Sequence, residues 1–186
     1  MTGERKQEIL QTALEIIANE GYANLSMRAL ARASGMKLGA LQYHFRTWGD
    51  LLRALVNYIE KRILEDFEAQ NLHDGQASVA EIAAFMLDDS SGTADELLGD
   101  RLWPQLWAME QMEPLVSDLL EEVYAKYLEI LQEAMAAAGA TSPRAEALCL
   151  MSLLEGESLF TGSGRRWEGD RKAVRKAILK LISERY

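Results

Sequence analysis

Apolar residues recur at helical spacing along almost the whole chain, and no window alternates apolar with polar positions as a half-buried strand requires. Ile9, Leu10, Ala13, Leu14 and Ile17 make the first stripe, and Gly21 is a natural C-cap after it. Two short helical segments follow between Ser26 and Phe45, with Gly35 between them. Thr47-Trp48-Gly49-Asp50 reads as a capping start for a helix carrying Leu51, Leu52, Leu55, Ile59, Ile63 and Phe67, broken at His73-Asp74-Gly75. Ser78 to Glu81 is a capping box for a helix with Ile82, Phe85 and Met86. Asp88 to Gly92 reads as a loop, and Thr93 to Glu96 opens another helix. From Leu102 to Met112 the chain is apolar and helical, with an interruption at Pro104. Pro114 opens a long helix ended by Gly139, and Ser142-Pro143 opens one running to about Thr161. After Gly162-Ser163-Gly164, the stripe Ala173, Val174, Ala177, Ile178, Leu181 and Ile182 forms the last. The pattern predicts an all-α fold of about nine helices.

Length and composition narrow this picture. A chain of 186 residues fits one domain, or a small domain joined to a larger one. It is long enough to bury a core without a disulfide or metal staple. Its single cysteine, Cys149, forms no internal bridge and fits a reducing cytoplasm. The polar start, Met1 to Gln7, is not a signal peptide, and no apolar run is long enough to span a bilayer. A cytoplasmic protein with no membrane association is expected.

The net charge of −9 argues against nucleic acid until its distribution is considered. Up to Tyr58 there are seven basic residues and five acids, which leaves +2 there and −11 on the remainder. Between Tyr22 and Tyr58, Arg28, Arg32, Lys37, Arg46 and Arg53 face Asp50 alone. A positive head on an acidic body suits docking one end onto a polyanion. Within that head, Ser26 caps a helix of about two turns whose inner face holds Leu30 and Ala31. Gly35 supplies a positive φ, and Met36, Leu41 and Phe45 pack inward from the second helix. This is the spacing of a helix-turn-helix, whose second helix enters the DNA major groove, although an ordinary αα-hairpin fits the spacing equally well.

The run from Gly21 to Ala31, then Gly35-Met36-Lys37-Leu38-Gly39-Ala40-Leu41-Gln42-Tyr43-His44-Phe45, then Asp50-Leu51-Leu52, resembles the TetR family of transcriptional regulators. The likeness covers roughly the first third of the chain, at many fixed spacings. It implies a DNA-binding head over 1–47, a helical ligand-binding and dimerisation body over 48–186, and a homodimer acting on double-stranded DNA without catalysis. It implies DNA contacts from Met27, Arg28, Lys37, Leu38, Gly39, Ala40, Gln42, Tyr43, His44, Arg46 and Trp48. Three of these depart from the family pattern. Lys37 stands in place of a capping Ser or Thr, Gln42 in place of Tyr, and Trp48 in place of Lys. Lys37 adds a phosphate-seeking charge, Gln42 an amide able to pair with adenine, and Arg46 offsets the cation missing at Trp48.

In the body, Phe85, Met86, Trp103, Leu106, Trp107, Tyr124, Tyr127 and Phe160, with Met109 and Met112, predict a site for a small apolar or aromatic effector. Glu110, Glu155 and Glu157 are the acids most embedded in apolar sequence, and one facing that site would favour a cation or a hydroxyl donor. Glu110 is taken into the candidate site. Leu148, Met151, Leu154 and Leu159, with Val174, Ile178 and Leu181, predict a four-helix dimer seam. The basic residues of the last helix (Arg171, Lys172, Arg175, Lys176, Lys180 and Arg185) read as a solvated face.

Enzyme chemistry finds little support. Gly162-Ser163-Gly164 lacks the strand context of a phosphate loop, and Cys149 reads as a buried, inert thiol. Glu155 and Glu157, two apart on a helix, do not share a face. No Cys/His cluster has metal-ligand spacing, and no cofactor is expected. The best reading is a regulator released from a pseudo-palindromic operator by its effector, with the helix from Trp48 to Phe67 as the lever. The competing reading is a helical protein-interaction module that does not bind DNA.

Overall fold

The structure is a computed structural model and describes residues 2–70, 72, 77–87 and 101–186. Among these, the elements in order are α1 (Thr2–Glu20), a 3-10 turn (Tyr22–Asn24), α2 (Met27–Ala33), α3 (Leu38–His44), α4 (Trp48–Ala69), α5 (Val79–Leu87), α6 (Trp103–Glu110), α7 (Pro114–Ala137), α8 (Pro143–Thr161), a second 3-10 turn (Glu168–Asp170) and α9 (Arg171–Arg185). The all-helical expectation holds. The breaks expected at His73 to Gly75 and Asp88 to Gly92, and the helix expected from Thr93, lie outside the described residues.

Two compact units form. One comprises Met1–Ile63 with Leu97–Glu122, and the other Leu64–Glu96 with Val123–Tyr186. In the first, α1 packs on α2, α2 on α3, and α6 on the first 3-10 turn. Its core is the stripe of α1 (Ile9, Ala13, Leu14, Ile17) against Leu30, Leu41, Phe45, Leu51 and Leu55, none more than 2% exposed. In the second, α5 packs on α8 and α9, and α8 on α9. Val79, Ile82 and Ala83 of α5 are buried, as are Ala147, Leu150, Met151 and Leu154 along α8.

The helix ends follow the local chemistry. The Ser26 hydroxyl accepts from the Ala29 amide at 3.2 Å, satisfying one of the orphan donors of α2. Thr47 and Asp50 cap α4 reciprocally: the Asp50 amide donates to Thr47 Oγ1 and the Thr47 amide to Asp50 Oδ2, each at 3.0 Å. Ser78 and Glu81 repeat the device at α5. Ser26→Ala should lower stability by about 1 kcal/mol, read as a shifted denaturant midpoint at unchanged slope.

Three sequence expectations are corrected. Pro104 does not interrupt a helix; it sits in the first turn of α6, where its missing N–H costs nothing. Cys149 is exposed, not buried. The apolar run in α8 is wider than one face, so the helix buries 147, 150, 151 and 154 and turns Leu148, Cys149 and Leu153 outward. Arg171 and Arg175 leave the solvated face and turn inward to Glu157.

Candidate functional site

The pair α2 and α3 is set by its turn. Gly35 adopts φ +66°, a conformation that L side chains rarely take, and the Met36 amide returns to the Ala31 carbonyl at 2.9 Å. Leu41 is fully buried and Phe45 nearly so, which fixes the rotation of α3. The opposite side of that helix therefore faces solvent: Lys37, Gly39, Ala40, Gln42 and Tyr43 are exposed, Tyr43 at 79%. Arg28 and Arg46 are exposed beside it, while Met27, Leu38 and His44 are half-buried. The rings of Tyr43 and His44 meet edge-on at 5.6 Å. Lys37 occupies the N-cap of α3 without a side-chain cap bond, so its ammonium is left to solvent.

Gly39 is the second residue of α3, without a positive φ, and a Cβ built on it would meet nothing within 4 Å. Among the described residues nothing packs against this position, so the first turn of α3 is bare.

Two basic residues of this region went unassigned in the sequence. Arg5 donates to the Ser34 carbonyl at 2.9 Å, bracing the turn, and the Lys6 ammonium lies 5.8 Å from the centre of the Phe45 ring. Their polar position on α1 gave the signal, but only the fold brings them beside α3.

Trp48 departs from the other expected DNA contacts. Its indole N–H donates to Glu113 Oε1 at 3.2 Å, and its ring lies 6.4 Å from that of Tyr22. The Tyr22 hydroxyl donates to the same oxygen, and burial followed by Glu113 pushes the phenol pKa well above its ordinary value. The Tyr22 amide donates to Gln105 Oε1 at 3.2 Å. The half-buried indole is thus committed inside the protein.

The expected effector residues separate into three groups. Leu106 is fully buried on α6, with Trp103, Trp107 and Glu110 half-buried on the same helix. In the other unit, Phe85, Met86 and Tyr124 are half-buried and Tyr127 is buried. Phe67, which the sequence placed only in a core stripe, joins this second group at 4.8 Å from Phe85 and 5.5 Å from Tyr127. Phe160 belongs to neither. It is 61% exposed near the end of α8 and meets Trp167 at 6.3 Å. Met112 is also exposed.

The two acids of α8 have opposite environments. Glu157 is buried and bound by Thr161, Arg171 and Arg175; burial alone would raise its pKa, but these three partners outweigh it and the pKa falls. Glu155 accepts from the Tyr124 hydroxyl, and burial pushes its pKa up to about 7. A carboxyl whose folded pKa is raised contributes stability that is complete below its ordinary 4.5 and lost as pH rises toward 7. Glu155→Gln should therefore match the parent at pH 4.5 and exceed its stability by about 3 kcal/mol at pH 8, in paired denaturant melts.

The expected seam residues also divide. Met151, Leu154 and Ile178 are buried within the protomer by packing among α5, α8 and α9, and Val174 is half-buried. Leu148, Leu159 and Leu181 remain outside, 43–61% exposed, joined by Leu153. Among the described residues, no group of acids, cysteines and histidines could hold a metal ion, and no helix is long and apolar enough to cross a membrane.

Residues 9–55 match the family described as bacterial regulatory proteins, tetR family. An uncharacterized HTH-type transcriptional regulator of Xanthobacter autotrophicus is 27% identical over 141 residues, 71% of this chain; the match spans 66% of that relative's length. A TetR-family transcriptional regulator from Rhodococcus sp. shares the fold at a TM-score of 0.77 and 24% identity, over 98% of both chains. A transcriptional regulator from Saccharomonospora viridis, solved in complex with choline, does so at 0.77 and 21%, over 97% of this chain and 96% of that one. The helix-turn-helix lies inside the segment that matches the tetR family of bacterial regulatory proteins, and the chain shares the fold of solved regulators of that family.

Proposed function

We propose that the protein is a cytoplasmic DNA-binding transcriptional regulator that grips a pseudo-palindromic operator as a homodimer and is released by a small apolar or aromatic effector. The observation that carries this reading is the outer face of α3, where Gly39 and Ala40 leave the helix bare between exposed Lys37, Gln42 and Tyr43. A bare helix with long polar neighbours can approach base edges, while Arg28, Lys37 and Arg46 answer the phosphates. Binding, not catalysis, is its task. The head of residues 1–47 makes the DNA contacts, and the body of 48–186 carries the effector site and the dimer seam.

Leu148, Leu153, Leu159 and Leu181 support a seam on α8 and α9, since these side chains are left to solvent in one protomer. Two heads related by a two-fold axis require an operator of the same symmetry. The aromatic residues of the body, together with the choline held by the Saccharomonospora relative, support an effector site. An effector releases DNA only by preferring a conformer that binds DNA less well, and the operator opposes the effector by the same factor.

Selection from a random duplex pool, followed by gel shift across a salt series, tests this reading. The expected outcome is an inverted repeat bound with affinity that falls steeply with salt. Recovery of no common sequence, or binding indifferent to salt, would leave the interaction-module reading in its place.

A further inference from the structure

The unit formed by Leu64–Glu96 and Val123–Tyr186 holds a cluster of four aromatic rings, one of which donates a hydrogen bond to a carboxyl group. Phe67 and Tyr127 are buried, with ring centres 5.5 Å apart. Phe85 meets Phe67 edge-on at 4.8 Å, and Tyr124 meets Tyr127 edge-on at 6.2 Å; Phe85 and Tyr124 are half-buried. Glu155 joins the cluster through its hydrogen bond from the Tyr124 hydroxyl. Asp66, at the neighbouring position to Phe67, adds a second negative charge felt by the Tyr127 phenol. We infer that this cluster is the recognition element of the effector site and that it selects an organic cation, held against the four rings with Glu155 as its counter-charge. The inference rests on the effector reading proposed above and names the ligand class of that site.

The two acids of α8 make the argument. Glu157 receives the guanidinium groups of Arg171 and Arg175 from α9, and its pKa falls. Glu155, two residues earlier, receives a phenol, whose hydrogen bond offsets its burial only in part. The fold thus supplies cations to one carboxylate and aromatic faces to the other. Ring faces are negative, so an aromatic cluster tied through Tyr124 to a desolvated carboxylate repels anions and attracts a positive charge of low hydration energy. A quaternary or tertiary ammonium has that property, because its charge is spread beneath alkyl groups that also fill apolar space. A neutral aromatic molecule of equal shape gains the same apolar contacts but no electrostatic attraction. It also leaves Glu155 as costly to ionise as before.

The test is isothermal titration of the full chain at pH 8 with phenyltrimethylammonium and with tert-butylbenzene, which have the same shape and differ in charge. The cation is expected to bind at least about tenfold tighter, and Glu155→Gln, which keeps an acceptor for Tyr124, is expected to bring the two within about twofold of each other. The parent comparison needs no variant, so a folding defect in Glu155→Gln would not remove the test. Equal binding of both probes by the parent would overturn the cation inference and leave the effector site standing. A preference that survives Glu155→Gln would overturn the role of Glu155. Binding of neither probe would overturn the effector site itself, and the inference with it.

Discussion

Gln42→Ala is expected to weaken operator binding by about 2–6 kcal/mol, measured by fluorescence anisotropy on the selected inverted repeat. The size follows from symmetry. One amide paired to adenine in the major groove contributes about 1–3 kcal/mol of discrimination, and a homodimer presents that amide twice. Gln42 lies on the exposed face of α3, away from buried Leu41, so its removal leaves the fold intact. The loss should vanish on duplexes already lacking adenine at the paired position. Equal weakening on every sequence would show instead that the amide touches only the backbone. A mixed dimer with one altered protomer should lose half the free energy, which separates a base contact made twice from a folding effect.

The largest effect on stability is expected at Glu157. Its side chain is 2% exposed and lies 3.1 Å from the Arg171 guanidinium and 3.3 Å from that of Arg175. Glu157→Ala leaves both guanidinium groups half-buried without their carboxylate and should cost about 3–5 kcal/mol, read by chemical denaturation. The direction of the pKa gives a second signature. The carboxylate is held below its ordinary range, so its contribution is complete above that range and is lost as pH falls through it. Replacing Glu157, Arg171 and Arg175 together by apolar residues of similar size should recover most of the loss, because the cost lies in stranded charge. Failure of that triple variant to recover stability would show that the network also sets the geometry of α8 and α9.

Features that depend on neighbouring residues were legible in the chain. The caps at Ser26, Thr47 and Ser78, the positive φ at Gly35 and the inward face of Leu30, Leu41 and Phe45 all follow from spacings of a few residues. What escaped depends on which surface another element covers. The apolar run of α8 offers more than one face, and periodicity does not say which one α5 and α9 will bury. Hence Met151 and Leu154 turned inward while Leu148 and Cys149 turned out. The resemblance puts Trp48 among the DNA contacts, yet its indole answers to a carboxylate 65 residues away. Glu155 stood among the embedded acids but was not chosen over Glu110. Only the fold shows that Glu157 has arginines for partners and Glu155 a tyrosine.

The clasp of Glu113 by Tyr22 and Trp48 bears on how this protein can be recombined. Those three residues, with Gln105 beneath the Tyr22 amide and Arg101 donating to Asn19 at 3.0 Å, stitch the stretch from 97 to 122 into the same compact unit as the recognition helix. A chimera that transplants only residues 1–47 onto a related body would separate Tyr22 from its carboxylate and cut Leu51, Leu52 and Leu55 out of the head's own core. The portable cassette is discontinuous: 1–63 must travel with 97–122, so a donor's DNA specificity can be borrowed only together with part of the scaffold that follows it.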